Sequence, residues 1–115
     1  DLVEKMNALY PQAKAKIEIK DSYQNLRPYH DRAPKVLEIA REAYRAAGLD
    51  PIEEPIRGGT DGARLSVRGL PCPNVFTGGM NFHGIYECIP VKSLEKGAEV
   101  AMKLAQLSGS IKSLD

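Results

Sequence analysis

The sequence lacks several features that would assign a chain of its size to a familiar class. It has no tryptophan, two histidines and two cysteines in 115 residues. Cys72 and Cys88 do not have the spacing of a zinc finger, and two cysteines are too few to stabilise a domain of this size by disulfide bonds. We therefore expect a reduced compartment, although the sequence leaves undecided whether the two cysteines form a disulfide. No apolar run approaches the roughly 20 residues that cross a bilayer, so no membrane segment is predicted.

Charge of one sign is also missing. Sixteen Lys and Arg against fifteen Asp and Glu leave a formal charge of +1, and the signs are mixed along the chain. This balance gives no electrostatic reason to expect nucleic acid as a partner. A hydrophobic content of 43% is enough to bury an ordinary core. Since no signal peptide is recognisable, we expect a cytoplasmic protein, and because the chain opens in mid-pattern without methionine, we expect a part of a longer polypeptide.

The first third of the chain contains one helix and one strand by pattern. Apolar residues recur at helical spacing over residues 2–9, and Pro11 ends that run. Over residues 13–20, alanine and isoleucine alternate with lysine and glutamate, which predicts a strand with one buried face. The polar, proline-bearing stretch at 21–34 then separates these elements from everything later and is a candidate hinge between domains.

From residue 34 onward, helical patterns alternate with short strand candidates. The first is an amphipathic helix over residues 34–47, with Pro34 in its first turn and Gly48 after its end. Further elements follow in order: a strand at 53–56, a helix at 63–67, a strand at 73–77, and a helix capped near Ser93. The tail after Ser108 is predicted to fray. This alternation favours an α/β layer, to which the first helix and strand do not belong.

A glycine-rich turn at residues 57–62 is the first candidate for chemistry. Its sequence is Arg57-Gly58-Gly59-Thr60-Asp61-Gly62, just ahead of a short helix. Exposed backbone N–H groups in such a turn can bind a carboxylate or a phosphate. The alternative is a tight turn whose glycines supply positive φ and whose Asp61 caps the helix. No Gly-Lys-Ser/Thr follows, so the turn is not a Walker loop.

The second candidate is the loop at residues 78–87, where His83 is flanked by glycines and an acid, Glu87, lies four residues on. Neutral imidazole is a common zinc ligand, and a nearby carboxylate can orient the ring or hold a water. The alternative is an ordinary surface histidine, since one ligand does not make a site. The same reasoning favours solvation for His30 and a rigid packed turn for Cys72.

Taken together, several motifs resemble the C-terminal region of the peptidase T-like aminopeptidases, a group in the M20 family of co-catalytic zinc peptidases. The motifs occupy residues 55–63, 69–79 and 81–87, and their order and spacing make the match far stronger than any one of them. The resemblance extends upstream to 17–27, which looks like the end of the family's lid domain. It covers nearly the whole chain through Leu107.

The resemblance implies an α/β catalytic domain with two zinc ions and an inserted α+β lid domain, often used for dimer contacts. Residues 1–22 would be the last helix and strand of the lid, and 23–33 the hinge. Residues 34–115 would be the C-terminal part of the catalytic domain. The implied activity is removal of the N-terminal residue from tripeptides.

By the same matching, His83 would complete the coordination of one zinc ion. Substrate-binding roles would fall to the glycine-rich turn and, less firmly, to the hinge: Arg57, Gly58, Gly59, Thr60, Asn25 and Arg27. An arginine head and backbone N–H groups there could fix a peptide's charge or polarise its carbonyl. Tyr86 and Met80 replace a histidine and a tyrosine common in the group, which puts substrate preference in doubt.

In the family, two zinc ions hold and activate one water while a glutamate moves its proton. The motif of that glutamate is missing from this sequence, so we assign no catalytic residue here. A single imidazole cannot replace the other ligands, and the chain alone is predicted neither to bind zinc tightly nor to cleave peptides. The expected partners are a short peptide, the remainder of the enzyme and a second copy in a homodimer. A related carboxypeptidase or dipeptidase, or a non-catalytic binding module, are the alternatives.

Overall fold

The computed structural model describes residues 1–111, which form five helices and no β-strand. In chain order the helices are α1 (Leu2–Leu9), α2 (Arg27–His30), α3 (Pro34–Ala46), α4 (Asp61–Val67) and α5 (Val91–Gly109). No helix in this part of the chain is long and apolar enough to cross a membrane. We call residues 1–20 the arm and residues 34–109 the helical unit.

The core of the helical unit lies between α3 and α5. Ala43 and Ala47 from the end of α3 and Val100 from α5 are almost completely buried, at 0%, 2% and 1% exposure. Because alanine side chains are small, the two helix backbones can approach closely at this point. Larger side chains complete the packing around these three residues, namely Tyr44, Leu49, Phe76, Leu104 and Leu107.

A polar contact also joins these two helices. Lys96 of α5 donates from Nζ to the carbonyl oxygen of Ala47, the residue that caps the end of α3, at 2.7 Å. The same ammonium pairs with Glu99 at 2.7 Å. A positive group suits this place, since the last carbonyls of a helix carry partial negative charge. The bond therefore satisfies a free carbonyl and ties α5 to the end of α3.

Helix α4 begins at the glycine-rich turn and holds the segment 71–74 against its side. Thr60 is its N-cap, and its Oγ1 accepts from the Ala63 N–H at 3.2 Å. The buried Ser66 accepts the Cys72 N–H on its Oγ at 2.9 Å. At Gly62, an added Cβ would lie 2.6 Å from the Cys72 carbonyl oxygen, so only glycine permits this close approach. These contacts make Cys72 part of a packed turn.

The arm contrasts with this packing, because none of its residues is buried. Asp1 caps α1 by accepting the Val3 N–H at 3.0 Å. The side chain of Asn7 holds the following segment by two bonds to Ala15: it donates to the carbonyl oxygen at 2.9 Å and accepts from the N–H at 2.7 Å. The amide group thus imitates the pairing that a neighbouring strand would supply.

The strands predicted at 13–20, 53–56 and 73–77 do not form in the part of the chain described. The α/β layer is therefore not built from these residues alone, which are helical with extended connections. A strand is defined by hydrogen bonds to a neighbouring strand, and only Met80 and Cys88 form such a bridge here. Where a neighbour is missing, other groups substitute: the Phe76 N–H donates to the Tyr44 hydroxyl at 2.8 Å.

Two further boundaries differ from the sequence predictions. The hinge contains the short helix α2, where the Asn25 side chain accepts the Arg27 N–H at 2.8 Å and Pro28 suits the first turn. Helix α5 begins at Val91 after Pro90 rather than being capped by Ser93. It continues through Gly109, so the predicted fraying does not start at Ser108, and the last residues of that predicted tail, 112–115, lie outside the described part.

The dimensions of the molecule agree with incomplete packing. Its radius of gyration is 20.1 Å, whereas a compact domain of this length has about 13 Å. Its accessible surface is 9670 Å², against about 6,200 Å² for a folded monomer of this mass. Much of the apolar surface that the sequence marks for burial is thus uncovered, above all in the arm.

Candidate metal-ligand loop and glycine-rich turn

The loop that carries His83 is closed at its base by backbone pairing. The Met80 N–H donates to the Cys88 carbonyl at 2.8 Å, and the Cys88 N–H donates back at 3.2 Å. Inside the loop, Asn81 donates from Nδ2 to the Tyr86 carbonyl at 3.3 Å. The residues between this pair therefore form a defined hairpin-like loop rather than a loose connection.

Two glycines seat this loop on its surroundings. Gly78 has φ +80°, and a Cβ there would lie 2.4 Å from the Cβ of Ser93 in α5. At Gly79 a Cβ would lie 2.7 Å from the ring of Phe82. Both positions leave no room for a side chain, so the start of the loop lies directly against α5 and against its own aromatic residue.

His83 lies at the tip of the loop in a left-handed conformation, with φ +64°. Its backbone N–H donates to Oε2 of Glu87 at 3.1 Å, so this carboxylate holds the backbone and not, as the sequence allowed, the ring. The side chain is exposed, and its imidazole makes no hydrogen bond or ion pair with residues 1–111. A non-glycine residue held at positive φ costs about 1 kcal/mol or more and is concentrated at functional sites.

The donor set around His83 is incomplete for a structural or catalytic metal. No group of three His, Cys, Asp or Glu side chains that could hold a metal ion exists among the described residues. An exposed imidazole with both ring nitrogens available fits the part of one ligand, but a zinc site requires at least three protein ligands. The chain as it stands therefore fits a contributor to a metal site and not the whole of one.

The glycine-rich turn presents unpaired donors. The backbone N–H groups of Gly58, Gly59 and Thr60 have no acceptor within residues 1–111. Gly58 has φ +91°, where glycine is required, and Arg57 is exposed beside it. An arginine head next to unpaired N–H groups is a suitable arrangement for a carboxylate or a polarised carbonyl oxygen.

The two hinge residues singled out by sequence, Asn25 and Arg27, are exposed and make local bonds. Asn25 accepts the Arg27 N–H, as described for α2. Arg27 donates from Nε to Oδ1 of Asp31 at 3.0 Å, and its side chain is 81% exposed. An exposed pair of this kind contributes little to stability, so the guanidinium could exchange this partner for a ligand.

The hinge and the glycine-rich turn lie side by side. The ring of Tyr23 packs on Gly59, and Arg27 lies close enough to Glu53 to influence its charge. The Arg41 side chain, bonded to Glu53 at 2.5 and 3.0 Å, lowers the pKa of that carboxyl most, and the charges of Arg41 and Arg27 lower it further. The hinge thus meets the turn at Tyr23, and the charge of Arg27 further along the hinge reaches Glu53, which precedes the turn.

His83 is not joined to this pair of segments by a hydrogen bond or an ion pair within residues 1–111. The sequence interpretation overlooked Tyr23 and Arg64, which contact each other and the turn. The sequence gives only a weak indication of these two residues, because an aromatic residue upstream of a glycine pair does not show which residues pack together. Only the fold brings these distant segments together.

Residues 5–107 match the sequence profile of peptidase family M20/M25/M40. The chain belongs to this family of peptidases, whose members are generally metal-dependent.

Several relatives within the family are each described as peptidase T. The chain is 51% identical to peptidase T of Parabacteroides distasonis and 50% identical to that of Vibrio parahaemolyticus, over 93% of its length in both cases. It is 49% identical to peptidase T of Caldanaerobacter subterraneus over 94% of its length. These matches confirm the recognition made from the motifs. The chain spans about a quarter of the length of these relatives, 26% in each.

Proposed function

We propose that this chain forms part of a zinc-dependent aminopeptidase that removes the N-terminal residue of tripeptides. The observation that carries the proposal is the free, exposed imidazole of His83 at the tip of a closed loop, in a chain half identical to peptidase T. His83 is the residue that would bind one metal ion of a two-zinc centre, the other ligands coming from elsewhere in the enzyme. The general base would likewise come from elsewhere in the enzyme.

The other candidate residues support substrate binding. Arg57 and the unpaired N–H groups of Gly58, Gly59 and Thr60 would hold a charged end or a carbonyl oxygen of the peptide. Asn25 and Arg27 would act from the hinge, which the contact of Tyr23 with Gly59 brings alongside the turn. Each of these groups positions or polarises the substrate, and none transfers a proton.

The domain assignment is also part of the proposal. Residues 1–22 would end a lid domain, residues 23–33 would be the hinge, and residues 34–115 would be the C-terminal part of the catalytic domain. The absence of any buried residue in the arm supports a unit that packs elsewhere. A homodimer formed through the lid, in a cytoplasmic enzyme, completes this proposal.

Zinc binding by the chain alone tests whether His83 acts as one ligand among several. We expect isothermal titration calorimetry with zinc to show no stoichiometric site of submicromolar affinity, because one imidazole cannot replace a set of three or four ligands. His83→Ala and the matched control His30→Ala should behave like the unaltered chain. A tight one-to-one site that His83→Ala removes would contradict the incomplete donor set.

Activity must be tested on the longer protein that contains this chain. We expect hydrolysis of a tripeptide with a free amine, and no hydrolysis of the same peptide acetylated at its N-terminus. His83→Ala should lower kcat/KM by at least about a thousandfold and reduce bound zinc, since loss of a metal ligand removes activation of the water. Equal cleavage of the acetylated peptide would instead favour a carboxypeptidase. A protein that binds its metal but cleaves no peptide would favour a binding module.

A further inference from the structure

The ring of Tyr23 lies on the backbone of the glycine-rich turn. A Cβ built at Gly59 would be 2.0 Å from two ring carbons of Tyr23, far inside any contact that real atoms make. The ring therefore occupies the space where a side chain at position 59 would be. This contact joins the hinge to the turn, two segments that are far apart in sequence.

A second contact holds the same ring from the side of α4. The guanidinium carbon of Arg64 lies 5.2 Å from the ring centroid, within the range of a cation–π interaction. Arg64 also donates from Nη2 to the Tyr23 hydroxyl at 3.1 Å. An open cleft of about 340 Å³ lies beside these groups, lined by residues 21–24 and by α4 with its C-cap Arg68. Tyr23 is thus held on two sides.

The two adjacent glycines of the turn are required for different reasons. Gly58 has φ +91° and open space around it, so its backbone conformation demands glycine. Gly59 does not have a positive φ, and an alanine there would be acceptable to the backbone. The three atoms nearest to a side chain placed at Gly59 all belong to the Tyr23 ring. The need for glycine at position 59 therefore depends on Tyr23.

We propose that Tyr23 is a positioning residue that anchors the hinge on the glycine-rich turn and so fixes Asn25 and Arg27 relative to Arg57. Asn25 and Arg27 follow Tyr23 by two and four residues, so release of the ring frees the N-terminal end of their stretch. The anchor follows from the contacts themselves. Its effect on peptide binding rests on the proposed function.

Nuclear magnetic resonance of the 115-residue chain tests the anchor without any activity. An aromatic ring stacked on Gly59 shields its Hα protons, so these resonances should lie upfield of those of Gly58. Tyr23→Ala should remove the upfield shift, whereas Tyr23→Phe should keep it because the ring stays on the glycine. Tyr10→Ala, at another exposed tyrosine, is the matched control and should change nothing. Unshifted Gly59 protons in the unaltered chain would overturn the anchor.

A kinetic cycle in the longer protein tests the consequence for binding. Tyr23→Ala should raise KM for a tripeptide about tenfold with kcat little changed, because a binding contribution common to ground and transition states is lost. Tyr23→Phe should restore KM to within about twofold. Gly59→Ala should displace the ring and raise KM similarly, and the double variant should be no worse than either single one.

The outcomes separate the anchor from the proposed function. Additive effects of Tyr23→Ala and Gly59→Ala on KM would overturn the statement that one contact underlies both. Unchanged KM in Tyr23→Ala, with the upfield shift lost, would overturn the positioning role and leave the proposed function intact. A longer protein that cleaves no peptide even when unaltered would overturn the proposed function and the positioning role with it, while the resonance shift would still decide the anchor.

Discussion

The arm and the helical unit carry the same kind of sequence pattern, but their apolar faces are buried to different extents. Helix α1 and helix α5 both have an apolar stripe at helical spacing. In α5 the face that carries Val100, Leu104 and Leu107 packs against α3, and Val100 is 1% exposed. In α1 it is uncovered, with Leu2 and Leu9 at 75% and 72% exposure. The difference lies in the neighbours that this chain supplies and not in the helices.

This comparison shows what an amphipathic pattern encodes. The pattern specifies which face of an element must be buried, but the partner that buries it is specified elsewhere. For α5 the partner is α3, within the chain. For the arm no covering helix lies among residues 1–111, and two bonds from Asn7 to Ala15 join α1 to the segment that follows it.

The largest expected effect separates the two regions by stability. Val100→Ala should lower the free energy of unfolding by about 2 kcal/mol, because it removes buried carbon atoms and leaves a cavity between the helices. Leu9→Ala in the arm removes a larger side chain but should change the free energy by less than about 0.5 kcal/mol. Urea unfolding followed by circular dichroism measures both. Equal losses would show that the arm is packed in solution.

Self-association should depend on the arm and not on the helical unit. Ile17 and Ile19 are 61% and 80% exposed on a segment whose backbone lacks a neighbouring strand. Such edges promote pairing between chains, so we expect the chain to oligomerise in analytical ultracentrifugation. The double change Ile17→Lys with Ile19→Lys should shift it toward the monomer. A matched change at Ile52, also exposed but outside the arm, should not, and a clean monomer before any change would refute the prediction.

The Asn7 contact should control local order within the arm. Asn7→Ala removes both bonds to Ala15 and should cost about 1 kcal/mol of local stability, seen as faster hydrogen exchange at the Ala15 N–H. Asn7→Asp keeps an acceptor for that N–H and should retain much of the protection. Exchange in α3 should stay the same in both variants. Faster exchange in α3 or α5 would mean that the arm and the helical unit are coupled.

The smallest expected effect concerns pH and lies at the edge of the helical unit. Arg41 lowers the pKa of Glu53 below its ordinary value through their paired hydrogen bonds. Because the pKa of Glu53 is lower in the folded than in the unfolded chain, the ion pair stabilises the fold above the ordinary carboxyl pKa. This stabilisation is lost as the pH falls through the folded pKa. A carboxyl titration by nuclear magnetic resonance should show the Glu53 midpoint rising in Arg41→Gln. An unchanged midpoint would show that the pair does not persist in solution.

Local patterns predicted the helices well. The helix predicted over residues 2–9 is α1, and the one predicted over 34–47 is α3, within one residue of its end. Breakers such as Pro11 and Gly48 act on the backbone next to them, so their effect can be read without a fold. The short α2 escaped prediction because a single Asn25 bond and one proline turn are too brief to form a period.

Features that depend on other segments could not be predicted. The strand at 13–20 has a clear alternation, yet a strand exists only where a second strand pairs with it. The motif resemblance found the candidate loop of His83, but not its positive φ or the bond from its N–H to Glu87. The contact of Tyr23 with Gly59 could be found only in the structure, because neither local sequence indicates which distant residue it packs against.

The ammonium of Lys96 fixes the axial position of α5 relative to α3, which alanine packing alone would not do. Small apolar residues allow one helix to slide along another at little cost, whereas a hydrogen bond to the single carbonyl of Ala47 is met at one axial position only. Since Gly78 abuts Ser93 two residues into α5, a shift of α5 along α3 would move the start of the loop that carries His83. By fixing α5 on the end of α3, Lys96 therefore helps to fix the position of that loop.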